Sequence, residues 1–208
     1  MESTDTQQMW EDRYAESERI WSGRPNARLV EVVSDLPTGT ALELGCGEGG
    51  DTVWLAQRGW QVVAVDIANT ALQRAAEALT AAGDDLATRV RFERHDLTVS
   101  FPQGSYDLVT AHFLHSPHGW DRNPLMRRAA AAVAPGGRLL IVDHAEAPPW
   151  SERIHDHEFP SAEAVVAGME LDPAQWERER VERAEWEGTG PDGRPGSLVD
   201  NVIVLRRR

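Results

Sequence analysis

Leu42-Glu43-Leu44-Gly45-Cys46-Gly47-Glu48-Gly49-Gly50-Asp51 is the stretch on which the reading of the chain turns. An apolar run ends in a cluster of glycines, and a helical pattern begins near Asp51, which describes a strand passing through a tight loop into a helix. Gly45, Gly47 and Gly50 satisfy G-x-G-x-x-G, in which glycines let the backbone approach a ligand and the helix start faces it. The pattern alone is weak, and its context strengthens it. Asp66 ends the next apolar run, 21 residues after Gly45, where a carboxylate accepts hydrogen bonds from both hydroxyls of a ribose. A nucleoside ligand is the expectation.

Working outward, short runs rich in Val, Leu and Ile alternate from residue 40 with Ala-rich segments of helical spacing, the signature of a parallel sheet with crossover helices. Strands are expected over 41–44, 61–65, 89–93, 106–110 and 138–142, with helices between them. Gly59 suits a helix end. Ala71, Leu72, Ala75 and Leu79 form one apolar stripe, and Leu125, Ala129 and Val133 form another that Pro135-Gly136-Gly137 stops. Ser161 can cap a helix running through Met169, and 198–205 reads as a good strand. The charged segment 176–186, followed by the turn signal Pro191-Asp192-Gly193, reads as a partly exposed strand paired with that last one. The fold class is α/β: a Rossmann-like doubly wound, mostly parallel seven-stranded sheet, with helices on both faces and an antiparallel C-terminal strand. Residues 1–208 form a single domain. A helical cover occupies 1–36, with helices near 6–17 and 26–36 around the turn Trp21-Ser22-Gly23-Arg24-Pro25. The core spans 40–142 and a C-terminal region spans 143–208.

Composition narrows the function. In 208 residues, 41% are hydrophobic and 26% charged, which fits one soluble globular domain and rules out a long disordered chain. Acidic residues number 34 against 21 basic ones, a formal charge of -13 that repels phosphate backbones, so no nucleic-acid partner is expected. All 21 basic residues are arginine, which removes Schiff-base chemistry and any P-loop lysine. The single cysteine, Cys46, forms no internal disulfide, and the polar, acidic start is unlike a signal peptide, so a cytoplasmic protein is expected. No apolar stretch approaches the roughly 20 residues that span a bilayer, so no membrane is expected. A monomer or homodimer fits.

Charge also separates the candidate cofactors. A pyrophosphate would meet Glu43, Glu48 and Asp51 crowded around the glycine loop. S-adenosylmethionine (SAM) has no phosphate; its sulfonium and ammonium suit an acidic strand end beside bare backbone. At these residues the chain resembles the first motif of class I SAM-dependent methyltransferases. The resemblance continues through Val65-Asp66, His95-Asp96-Leu97, Tyr106-Asp107-Leu108-Val109 and Ala134-Pro135-Gly136-Gly137, covering about 40–142. Trp10-Glu11-Asp12-Arg13-Tyr14 and Trp21-Ser22-Gly23-Arg24-Pro25-Asn26 resemble the small tellurite-resistance and thiopurine methyltransferase group. The resemblance implies that Glu43, Gly45, Cys46 and Gly47 border the methionine end and that Asp66 holds the ribose. It further implies that Asp96 accepts from the adenine amino group, that Ile67 and Leu97 flank the adenine, and that Trp21 and Ser22 close over the cofactor. Asp51 reads more readily as a helix-start carboxylate, Asp107 as a bond within its own strand turn, and Cys46 as a buried filler. A turn-capping role for Asp96 stands beside the adenine role.

Ligands of open α/β sheets collect beyond the carboxyl ends of the strands, which puts His112, Phe113, Leu114, His115, His118, Trp120, Asp143, His144 and Glu146 toward the methyl group and makes 143–208 the acceptor side. His112, His115 and His118 share a metal-like spacing, but Pro117 and Gly119 break the helix it would need, so no metal is expected. His112 or His115 can serve as a base for the acceptor, and His112 also borders the cofactor; that both only bond backbone at the strand end is equally open. Trp10, Trp21, Trp120 and Trp150 can wall the pocket. The leading reading is methyl transfer from SAM to a small-molecule acceptor, with a thiol or other chalcogen nucleophile implied by the subgroup and S-adenosylhomocysteine as product. A non-catalytic SAM-binding sensor and, third, an NAD-dependent oxidoreductase remain as alternatives.

Overall fold

The first strand, β1 (Thr40–Leu44), runs through the glycine loop into helix α3 (Gly50–Gln57), and strand–helix alternation continues from there. In this computed structural model, which describes residues 3–114, 120–150, 159–190 and 193–208, β2 (Gln61–Asp66) and helix α4 (Asn69–Ala82) follow. A 3-10 turn (Asp84–Arg89) leads into β3 (Val90–Arg94), and β4 (Tyr106–His112) precedes α5 (Asn123–Ala131) and β5 (Val133–His144). The chain then forms α6 (Ala162–Gly168), β6 (Trp176–Thr189) and β7 (Pro195–Arg207), with α1 (Ser3–Ala15) and α2 (Ala27–Val33) ahead of the sheet.

The seven strands lie in the order β3-β2-β1-β4-β5-β7-β6. Strands β1 to β5 pair in parallel, β7 pairs antiparallel with β5, and β6 pairs antiparallel with β7. This is the expected doubly wound sheet, with both C-terminal strands antiparallel. Side chains alternate across a strand, so each face has its own core. Leu42, Val109, Leu139 and Ile203 pack with α5 and α6, whereas Ala41, Leu108, Leu140 and Val202 pack with Leu29 and Val33 of α2 and Leu55 of α3. Each such side chain contributes about 1.5–3 kcal/mol through removal from water.

Three expectations need correction. Val133 lies in β5 and not in the preceding helix: α5 ends at Ala131, and Ala134-Pro135-Gly136 is taken into the strand start, where the β4–β5 register shifts between Tyr106 and Leu108. Apolar spacing could not separate a helix end from a strand that begins two residues later. No helix links β3 to β4; residues 95–105 cross in turns, held by Asp96 and broken by Pro102 and Gly104. Asp107 bonds to the neighbouring strand and not to its own turn, accepting from Thr40 N at 2.8 Å and Thr40 Oγ1 at 2.9 Å. The stripe Ala71, Ala75 and Leu79 is buried as expected, and Ser161 caps α6 through Ala164 N.

Candidate cofactor and acceptor site

The carboxyl ends of β1, β2, β4 and β5 meet at one edge of the sheet, and the glycine loop runs across it. Gly45 N and Cys46 N both donate to Val65 O at 2.9 Å, which fastens the loop to the end of β2. Gly45 and Gly47 have φ of +75° and +52°, in the left-handed region where a side chain is strained. A Cβ on Gly45 would come within 2.7 Å of Leu114 Cδ1, and one on Gly47 within 3.2 Å of the Trp21 indole. The loop thus presents bare backbone between Leu114 and Trp21, a cradle that a Cβ would fill.

Asp66 is buried at the end of β2, where its Oδ2 accepts from Gly47 N at 2.9 Å and its Oδ1 from Ala68 N at 3.0 Å. Burial raises its pKa, against the backbone amides that favour the anion. Ile67 beside it is half-buried. Asp96 follows β3 and its Oδ1 accepts from Thr98 N at 2.9 Å and Thr98 Oγ1 at 2.6 Å, the turn cap foreseen beside its adenine role. Leu97 is buried in the core. A bare glycine cradle, a buried carboxylate at the next strand end and a second one after β3 are the groups that the resemblance requires for SAM, so these residues fit the cofactor.

The acidic residues of the loop turn out to be ties. Glu48 is buried and accepts from Ile20 N at 3.1 Å and Trp21 N at 2.9 Å, while Arg74 of α4 pairs with it at 2.8 Å. Arg74 also donates to Tyr14 O at 2.9 Å and Ser17 O at 2.8 Å. Asp51 accepts from Asn26 N at 2.5 Å and faces His112 Nδ1 at 2.6 Å. Glu43, buried under the loop, accepts from Thr52 Oγ1 at 2.5 Å, and burial followed by repulsion from Asp51 holds its carboxyl well above the usual range. The negative charges counted around the loop are therefore engaged: Glu48 meets an arginine, Asp51 serves a histidine and an amide, and burial shifts Glu43 toward its neutral form. Cys46 is buried, and burial with the nearby Asp66 pushes its thiol well up, so it is a filler.

On the acceptor side, His112 ends β4 with its ring against α3. Its Nε2 is buried without a hydrogen-bond partner. Phe113 has φ of +49°, a conformation costly for a side-chain-bearing residue, and its ring stacks on His144 with centroids 4.4 Å apart. Arg122 grips buried Asp143 with bonds of 3.0 and 2.5 Å and donates to Leu114 O at 3.1 Å, fixing the segment after β4. His144 Nδ1 lies 4.0 Å from Asp200 Oδ1, and Trp186 Nε1 donates to Asp200 Oδ2 at 2.7 Å. Burial raises the Asp200 carboxyl to about 6 and lowers the His144 imidazole.

The four tryptophans separate. Trp21 rests over the glycine loop, its Nε1 donating to Tyr14 Oη at 3.2 Å. Trp10 packs with Tyr14, Trp120 joins the α5–α6 core, and Trp150 lies against Gly196. Glu146 pairs with Arg183. His115, His118, His155 and His157 lie outside the described residues. Among the described residues no group of three or more His, Cys, Asp and Glu side chains is placed to hold a metal, and no helix is long and apolar enough to cross a membrane. Sequence reasoning missed the Glu48–Arg74 tie and the Asp200–Trp186 pair. The second had a signal: Asp200-Asn201 interrupts an otherwise apolar strand.

Comparison with known proteins agrees with this geometry. Residues 41–137 match a family model described as a methyltransferase domain. Thiocyanate methyltransferase 1 of Brassica oleracea is 29% identical over 158 residues, covering 72% of this chain and 69% of that protein. A probable thiol methyltransferase 2 of Arabidopsis thaliana is 29% identical over 159 residues, with the same shares of 72% and 69%. In structure, the N-methyltransferase NodS from Bradyrhizobium japonicum, solved with S-adenosyl-L-homocysteine, superposes with a TM-score of 0.67 at 20% identity over 98% of this chain and 99% of that one. Fold, site and sequence matches together support a class I SAM-dependent methyltransferase, with SAM as its cofactor. Within that class it resembles the thiol methyltransferase group. Of the readings left open by the sequence, methyl transfer prevails over hydride transfer and over a non-catalytic sensor.

Proposed function

We propose that the chain methylates the sulfur of a small thiol. The observation that carries the reading is the extent of its likeness to thiocyanate and thiol methyltransferases, which reaches across 72% of the chain and so beyond the cofactor core. SAM, when bound, supplies a methyl group on a sulfonium, already activated toward a soft nucleophile. The protein's share is alignment, exclusion of water and disposal of the thiol proton.

Gly45, Cys46 and Gly47 border the methionine end, with Glu43 beneath them and His112, fixed by Asp51, at their side. Asp66 receives the ribose hydroxyls, and Ile67, Asp96 and Leu97 frame the adenine. Trp21, held down through Glu48, shields the loop from water, and residues 16–26 act as a strap over the cofactor. The acceptor enters beyond β4 and β5, between Phe113, His144 and Trp186. Production of S-adenosylhomocysteine from SAM, measured with matched panels of small thiols, phenols and amines, is the test. Thiols should turn over fastest; turnover confined to oxygen or nitrogen acceptors overturns the reading.

A further inference from the structure

Two histidines stand on one face of the sheet at its carboxyl edge, and they are not equivalent. His112 and His144 share the face occupied by α2 and α3, with His112 paired in register to Val142, two residues before His144. Strand spacing sets them roughly 8 Å apart, with the Phe113 ring beside His144. The His112 side chain is 7% exposed, with Nδ1 committed to Asp51 and Nε2 enclosed. The His144 side chain is 28% exposed.

Behind His144 stands Asp200, its register partner on β7, whose side chain is 5% exposed. Trp186 fixes one carboxylate oxygen and leaves the other turned to His144 Nδ1 at 4.0 Å. Such contacts in a substrate-free site are long and tighten when the reactants bind. A carboxylate fixed by a neighbour and turned toward a partly exposed imidazole is an arrangement from which a general base can be assembled when the reactants bind.

We infer that His144, oriented by Asp200, is the base that takes the proton from the acceptor thiol. The inference rests on the thiol reading above. The thiol S–H bond breaks as its proton passes to the imidazole. The sulfur pair forms the new S–CH3 bond while the methyl–sulfonium bond breaks, and that bond's pair stays on the sulfur of S-adenosylhomocysteine. The proton then leaves His144 for water.

Burial supports the neutral form of His144, against the charge of Asp143, which favours the imidazolium. Asp143, adjacent on β5 but on the opposite face, is engaged by Arg122. Arg28 of α2 acts on Asp200 from the layer above and favours its anion. Among the described residues, Asp51 of α3 beside His112 and Arg183 of β6 beside Glu146 are further charged groups at this edge. The acid limb of the rate should therefore follow protonation of His144, whose imidazole burial holds below its ordinary range.

The experiment uses the full chain with saturating SAM and two acceptors: an alkyl thiol, mostly protonated at pH 7, and an electron-poor aryl thiol, mostly ionised there. H144Q should lower kcat on the order of 10²–10⁴-fold with the alkyl thiol and under about tenfold with the aryl thiolate, which needs no base. H112Q should show no such dependence on thiol ionisation. In cofactor-free protein, the His144 ring proton followed by NMR should titrate at lower pH in D200N than in wild type. Equal losses of H144Q on both thiols, a thiol-dependent loss in H112Q, or a His144 titration indifferent to D200N overturns the inference. Wild-type protein that methylates no thiol overturns the acceptor reading and this inference with it. A failure confined to His144 is recognised by intact wild-type turnover of thiols.

Discussion

Glu48→Ala separates a strap that detaches as a unit from one that is an integral part of the core. The Glu48 side chain, 2% exposed, ties the Ile20 and Trp21 amides and the Arg74 guanidinium. Each hydrogen bond to a charged group contributes about 1.5–3 kcal/mol, and stripping one partner from a buried ion pair costs about 3–5 kcal/mol. Were the strap to stay in place, the sum would approach the whole stability of a domain, about 5–15 kcal/mol. Trp21 is 48% exposed and the Arg74 side chain 22%, so both can turn to water when the tie is cut. Undocking then caps the loss at the strap's own docking free energy, and we expect a drop of about 2–4 kcal/mol in urea unfolding, well short of the sum.

The decisive reporter is the Asn26 amide, because it bonds to Asp51 and not to Glu48. If residues 16–26 leave together, Asn26 exchange with solvent should accelerate by about 30–1000-fold in the variant, the factor that 2–4 kcal/mol represents. Amides of α4 should keep their protection, and added SAM should slow the strap in the wild type. Wild-type exchange at Asn26 in a folded Glu48→Ala protein would refute the unit, and equal acceleration through α4 would refute the detachment.

Asp66→Ala should weaken SAM binding by about 1–3 kcal/mol in calorimetry, and because Gly47 N and Ala68 N lose their acceptor it should also lower the melting temperature. Gly45→Ala should cost about 1–2 kcal/mol in stability from its φ of +75°, and adding Leu114→Ala, which removes the side chain 2.7 Å away, should leave that cost in place, as chemical denaturation can show. The Asp200 carboxyl, raised to about 6 from 3.8, contributes stability that is fully present below about pH 4 and lost as pH rises through 6. Asp200→Asn should therefore flatten the urea stability profile between those limits. Cys46 should resist iodoacetamide at pH 8 in the native protein and react once unfolded, since its thiol is buried and pushed up.

How legible the chain is from sequence depends on whether a residue type implies one environment or several. Val, Leu and Ile at strand spacing have one stable use here, burial on a face of the sheet, so β1, β2, β4 and β7 stand close to where periodicity sets them. Ala-rich segments are less decisive: Val133 carries on the apolar rhythm of α5 yet opens β5, because a run of alanines serves a helix end and a strand start equally. Carboxylates are the least decisive. Glu43, Glu48, Asp51 and Asp66 all stand where an acid could face a cationic ligand, and by residue type they read alike.

Their partners tell them apart, and those partners come from far along the chain: Arg74 from α4, Ile20 and Trp21 from the strap, His112 from β4. A buried carboxylate needs hydrogen bonds or a counter-charge wherever it sits, so its presence beside a glycine loop announces that something must satisfy it without saying what. Glu48 and Asp51 are satisfied by the protein and bind the strap to the loop. Asp66 is satisfied by Gly47 and Ala68, the backbone at either side of the cradle, which makes it the fastening of the loop and, in the function proposed above, also the group facing the ribose. Loop shape and cofactor affinity therefore rest on the same carboxylate, and a change there should move both together, whereas a change at Glu48 should move the strap while the cradle keeps its shape.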